Sequence, residues 1–192
     1  MRRSTAAIGA PGREAPLFGF LRRRPHERAG FALYTAAVTA ARDPALFGPG
    51  GVPDTVEGRF ELVCLHAALL IRRLRGDADP RGPALAQAVF DAMFSDMDLN
   101  LREMGVGDNV VGRRVKRMWE GFHGRARAYE AALVAGDRPA LEEALARNVW
   151  AGAAPDGAPA RLADHALELD SALASERLEA LLAGQAPAMV PA

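Results

Sequence analysis

Val56-Glu57-Gly58-Arg59-Phe60-Glu61-Leu62-Val63-Cys64-Leu65-His66-Ala67-Ala68-Leu69-Leu70-Ile71-Arg72-Arg73-Leu74-Arg75 has the periodicity of a helix that is apolar nearly all round, with its charges gathered at the two ends. Phe60, Leu62, Val63, Leu65, Leu69, Leu70, Ile71 and Leu74 together leave no wholly polar face. Such a helix belongs in an interior. The stretch therefore predicts an all-α bundle with this helix, the second in chain order, at its centre. Asp54-Thr55-Val56-Glu57 signals its start: Asp54 is placed to cap the first turn, and Glu57 to reply three residues later. The apolar run from Leu62 to Ile71 contains His66 and is about half the ~20 residues a bilayer span needs, so no transmembrane helix is expected.

Working outward, Gly76 to Pro83 breaks the chain. Leu85, Val89, Met93 and Met97, flanked by Phe90 and Phe94, then predict a third helix to about Glu103. Gly105-Val106-Gly107-Asp108 reads as a stop followed by a start, with Gly105 left-handed to close one helix and Asp108 capping the next. The fourth helix carries Val111, Val115, Met118, Phe122, Ala126, Tyr129 and Leu133 at steps of four, three, four, four, three and four, and it ends at Gly136. Before the central helix, Phe31, Tyr34, Val38 and Ala41 place a first helix over His26 to Arg42. After the fourth, Asp137-Arg138-Pro139 restarts the chain with proline in the first turn, and Leu141, Leu145 and Val149 make a short fifth helix. Leu162, Ala166, Leu169, Leu173 and Leu181 make a sixth over about Pro159 to Ala183, beyond a Gly, Ala and Pro linker. No run of alternating β-branched residues suggests a strand. The expected organisation is a basic arm over 1–25, a helical domain over 26–150, and a linker with a C-terminal helix packed on it over 151–192: one domain of about six helices.

Composition narrows the function. At 192 residues and 49% hydrophobic content the chain can fill a core without disulfides, and a solitary Cys64 points to a reducing compartment. Zero formal net charge argues against a surface built wholly for nucleic acid or acidic membrane. The ends nevertheless oppose each other: residues 1–28 hold seven Arg against two Glu, and residues 151–192 two Arg against six acids. Met1-Arg2-Arg3 is not followed by the apolar stretch of a secretory signal, so export is not expected. Twenty-three Arg against the single Lys116 reads as compositional bias rather than function.

No catalytic constellation emerges. Asp96 and Asp98, two residues apart, point in directions roughly 200° apart on a helix and cannot clasp one ion. Asp98 and Arg102 are spaced instead as an ordinary intrahelical pair. His26, His66, His123 and His165 are scattered without ligand spacing, and His66 reads as a hydrogen-bonded core residue. Cys64 falls on nearly the opposite side of the helix from His66, which disfavours a nucleophile pair. Gly105, Gly107 and Gly112 follow no strand and precede no Lys-Ser or Lys-Thr, so neither dinucleotide nor ATP binding is implied, and no cofactor is expected. The fourth helix carries Arg113, Arg114, Lys116, Arg117, Arg125 and Arg127 against Glu120, a strip suited to an acidic protein, anionic lipid or ribosomal RNA. Its polar side lacks the interleaved aromatics that would stack on bases. Two alternatives to a protein-binding module remain open: a metal-dependent helical enzyme using the third helix's carboxylates, and an RNA- or ribosome-binding module using this strip.

Three blocks carry a family resemblance. They are Val52 through Glu61, then Asp96-Met97-Asp98-Leu99-Asn100-Leu101-Arg102-Glu103-Met104-Gly105-Val106-Gly107-Asp108, and Gly124-Arg125-Ala126 through Tyr129-Glu130-Ala131-Ala132-Leu133 with Arg147-Asn148-Val149. In this order and spacing they resemble the ubiquinol-cytochrome c chaperone family, over about residues 31–150. The resemblance implies a non-enzymatic assembly factor for ubiquinol-cytochrome c reductase that attends newly made cytochrome b. The family's place is in mitochondria near the ribosome exit; for a bacterial-looking chain without a presequence the expectation is the cytoplasm, peripheral at the inner membrane, with the ribosome or a small partner subunit as further partners and no DNA. The expected partner-binding residues are Asp54, Arg59, Phe60, Asp96, Asp98, Leu101, Arg102, Glu103, Met104 and Asp108, around a joint built on Gly105 and Gly107. Their charged members are expected to form one polar rim beside an apolar groove lined by Phe60, Phe94, Leu101 and Met104.

Overall fold

The computed structural model describes residues 26–186, so the expected basic arm and the last six residues lie outside the described part. Seven α-helices are present there: α1 Glu27–Ala40, α2 Val56–Arg75, α3 Arg81–Glu103, α4 Asp108–Ala135, α5 Arg138–Val149, α6 Ala158–Ser175 and α7 Leu178–Leu182, with a 3-10 turn at Pro44–Leu46. Among the described residues there is no strand; the architecture is a single all-α domain, as the sequence predicts. α2 is the axis, packed against α1, α3, α4, α5 and α6. Leu62, Leu65, Leu69, Leu70 and Leu74 are buried with almost no exposure, so the all-round apolar pattern of α2 is spent on five neighbours at once.

α1 lies along α3 at backbone distance. A Cβ on Gly30 would come within 2.6 Å of the Ala88 carbonyl carbon, so only glycine lets the helices approach this closely. Tyr34 reaches across the same seam and donates its hydroxyl to Asp96 Oδ2 at 2.8 Å. Between α2 and α4, Arg125 clasps the buried Glu61 through Nε, at 2.6 Å, and Nη2.

Three local expectations need correction. Thr55, not Asp54, caps α2, its hydroxyl accepting from the Gly58 N–H at 3.0 Å, because the Asp54 carboxylate is engaged by Arg59. α3 begins at Arg81, before Pro83; a first-turn proline forfeits no intrahelical hydrogen bond, so Pro83 does not delay the helix. The expected last helix is two. Glu176 and Arg177 are extended between α6 and α7, and the Arg73 guanidinium occupies the break, donating to the carbonyls of Leu173 at 3.1 Å and Glu176 at 2.8 Å. That satisfies C-terminal carbonyls a helix leaves open. The bend turns Leu178 and Leu181 back into the core.

Candidate functional site

The corner between α3 and α4 is made by local chemistry. Gly105 takes a left-handed backbone at φ +77, its N–H bonds the Arg102 carbonyl at 2.9 Å, and the Val106 N–H bonds the Leu101 carbonyl at 3.1 Å. This pair of bonds is the glycine-closed helix end that the sequence implies. Gly107 sits in extended backbone at φ −60 ψ 144, which any residue adopts, and a Cβ there would meet nothing within 4 Å. Asp108 is the first residue of α4 rather than its cap, and its side chain makes no capping bond. Its carboxylate faces Arg102 instead.

Arg102 pins the corner from both sides. Its Nε donates to Asp98 Oδ2 at 2.6 Å and its Nη1 to Asp108 Oδ1 at 2.5 Å, tying the last turn of α3 to the first of α4. The bond from Asp98, with Asp108 adding to it, raises the guanidinium's already high pKa. Beside this clamp two large apolar side chains stand in solvent, Leu99 at 54% exposure and Met104 at 70%, while Leu101 is half-buried and Glu103 exposed. Apolar side chains held out among charges on a fixed turn are what a partner's apolar surface can cover.

The other predicted residues separate from this group. Asp54 and Arg59 form their own exposed pair at 2.5 Å, with the guanidinium 5.6 Å from the centre of the Phe47 ring. Asp96 is turned to Tyr34. Among the described residues no hydrogen bond or ion pair joins these groups to the Arg102 clamp, so the charged residues bond as three separate groups. Phe60 packs against the core. Phe94 meets Phe90 tilted at 4.6 Å and Phe122 edge-on at 6.1 Å, so it belongs to an aromatic cluster between α3 and α4.

That cluster opens onto a groove of about 680 Å³ between α2, α3 and α4, which sequence reasoning missed. Phe90, Phe122, His123 and Trp119 form its wall, Trp119 meeting His123 edge-on at 4.2 Å. Trp119 is 46% exposed, so an aromatic does stand at the edge of the polar side of α4. The available signal was Trp119 and His123 stepping by four just beside the buried stripe. Burial, then the charges of Arg127 and Arg75, lowers the pKa of His123 and favours its neutral form. The basic strip is also smaller than expected. Arg125 belongs to the pair with Glu61, and Lys116 lies 3.9 Å from Glu120. Arg113, Arg114 and Arg117 remain exposed without an ion-pair partner among the described residues.

The interior holds a pair of imidazoles that the scattered sequence positions concealed. His66 Nδ1 lies 2.8 Å from the Leu62 carbonyl oxygen, which can only accept, so that nitrogen carries the hydrogen. Its Nε2 then accepts from His165 Nε2 at 3.1 Å, across the α2–α6 interface. His66 is a hydrogen-bonded core residue, as expected, and burial pushes its pKa down to about 4. Cys64 is buried, and burial, reinforced by Glu61, pushes its thiol pKa far up, the opposite of an activated nucleophile. Among the described residues no three His, Cys, Asp or Glu side chains gather as a metal site would require.

Comparison with known proteins agrees with this architecture. Residues 50–188 match the family model described as ubiquinol-cytochrome C chaperone, so the matched region runs well past Trp150, where the sequence resemblance stopped. The crystal structure of the Cbp3 homolog from Brucella abortus superposes with a TM-score of 0.75 at 36% identity, over 86% of this chain and 91% of that one. No curated protein sequence matches the chain.

Proposed function

The chain belongs to the ubiquinol-cytochrome c chaperone family, and we propose that its client is newly made cytochrome b, bound without ATP and passed on for assembly of ubiquinol-cytochrome c reductase. The observation that carries the proposal is the clamped α3–α4 corner, with Leu99 and Met104 exposed beside the Arg102 bonds to Asp98 and Asp108. A membrane protein not yet assembled presents apolar surface that its partner subunits will later cover. Burying one large apolar side chain contributes roughly 1.5–3 kcal/mol, enough for a reversible hold when a few act together. Leu101, Glu103 and Met104 would meet the client, Arg102, Asp98 and Asp108 would fix the turn, and Gly105 would shape it. Asp96 would support α3 from behind through Tyr34, and the Asp54–Arg59 pair with Phe60 would flank the surface at the start of α2.

Binding without ATP is supported by the lack of a phosphate-binding motif in the sequence. We place the protein at the cytoplasmic face of the inner membrane as a peripheral component; among the described residues no helix is long and apolar enough to cross a membrane. Arg113, Arg114 and Arg117 on the outer side of α4 are available for a ribosome contact. The metal-enzyme alternative has less to work with, because the carboxylates of Asp96 and Asp98 are engaged by Tyr34 and Arg102. The test is Met104→Asp alongside Arg102→Ala in the native host. Cytochrome b should fall severalfold in both while the purified variants keep wild-type helicity. Unchanged cytochrome b in both variants would refute the assignment.

A further inference from the structure

The aromatic groove between α2, α3 and α4 lies apart from the α3–α4 corner, and none of the roles given above uses it. Its accessible wall is aromatic: Phe90 contacts His123 at 5.5 Å between ring centres, Trp119 closes the end, and the buried Phe122 backs them, 5.9 Å from Phe90. The groove also carries cationic side chains. Arg75, from the last turn of α2, and Arg127, from α4, line the groove, and neither has an ion-pair partner among the described residues. Both lie close enough to His123 for their charge to act on it. An adjoining hollow of about 480 Å³ shares Arg75 and Glu130 with the groove and adds Arg72 and Arg73 to its wall. Arg72 and Arg73 are paired with Asp170 and Asp77, so the free positive charge at the groove is that of Arg75 and Arg127, and Glu130 is the acid that lines it beside them.

Two unpaired guanidiniums over an aromatic slot select an occupant by charge. We propose that this groove is a second docking site, for an acidic segment of a partner protein that seats one aromatic or large aliphatic side chain against Phe90, His123 and Trp119 and offers carboxylates to Arg75 and Arg127. Arginine is suited to this because its planar fork meets a carboxylate with two parallel hydrogen bonds. An apolar anchor with flanking charge is also how a short segment gains specificity in a groove. The chain's own N-terminal region is the wrong occupant by sign, with seven Arg against two Glu in residues 1–28. The site does not depend on which client binds the corner.

Trp119 makes the test direct, because Trp150, the other tryptophan, is buried. The full chain is titrated with a fluorescein-labelled synthetic peptide of Glu and Asp around a central Leu-Phe, and separately with the same peptide carrying Lys at every acidic position. The acidic peptide should bind saturably and shift Trp119 emission to the blue. Arg75→Gln with Arg127→Gln should weaken it about tenfold or more, and Trp119→Ala should weaken it as well. Both arginines are exposed, so the double variant is expected to fold, and its circular dichroism verifies that. No binding, equal binding of the Lys peptide, or binding that ignores these substitutions would overturn the proposal. So would a Trp119 shift produced by phosphatidylglycerol vesicles when the peptide produces none, or one produced by self-association of the chain in sedimentation.

Discussion

The α3–α4 corner and the α2–α6 seam are built on opposite plans. At the corner every stabilising bond is local: Arg102 reaches Asp98 four residues back and Asp108 six residues on, in solvent. At the seam the bonds span the chain, as Arg73 holds the carbonyls of Leu173 and Glu176, Arg72 pairs with Asp170 at 2.5 Å, and His66 meets His165. The seam is buried and apolar around these contacts. The comparison separates two tasks. The seam supplies stability through burial, while the corner fixes a shape whose bonds, being solvated, contribute little to stability. Substitution should therefore uncouple folding from client binding.

The largest effect is expected at the seam. Leu173 is fully buried there, and Leu173→Ala should lower unfolding stability by about 2–5 kcal/mol in a urea titration. Acid should act next on the same region. His66 has its folded pKa pushed down to about 4, against about 6.5 for an unperturbed histidine, and burial lowers that of His165 as well. As pH falls below the unfolded value the unfolded chain takes up protons that the folded seam refuses, so stability present at neutral pH is lost between about pH 6.5 and 4. The loss should be on the order of 3–4 kcal/mol, measured by denaturant midpoints across that range. Replacing both histidines with Leu, which leaves no imidazole stranded without its partner, should flatten the profile.

At the corner the effects shrink. Gly105→Ala forces a side chain into the left-handed region and should cost about 1–2 kcal/mol, whereas Gly107→Ala should change stability by less than about 0.5 kcal/mol. Arg102→Ala should be smaller than the Gly105 change, under about 1 kcal/mol, because its partners stay solvated. A large loss on Arg102→Ala would erase the distinction between the two regions.

The same contrast explains what could be read from the sequence. Periodicity gave the all-α fold and the central position of α2, because burial on all sides writes itself into one contiguous stretch. Gly105 and the Asp98–Arg102 pair were legible because their partners lie within one or two turns. The His66–His165 pair was not: 99 residues separate its members, and no local spacing marks them. The break before α7 was hidden for the same reason, since Arg73 reaches it from another helix. The bonding partners of the charged residues were harder to read. Asp54, Asp96 and Asp98 are all acidic members of the family-like blocks, yet each is bonded to a different cation or hydroxyl. The aromatic groove escaped because Trp119 and His123 lie on the flank of α4, neither in the buried stripe nor on its charged back.

The corner's role as the client-facing surface is tested most directly by photocrosslinking in membranes of the native host. A photoreactive residue is placed at Met104, and for comparison at Leu167, which is also exposed but lies on α6. Cytochrome b crosslinked from position 104 and not from 167 is the result expected. Cytochrome b captured equally from both positions, or from 167 alone, would contradict the account.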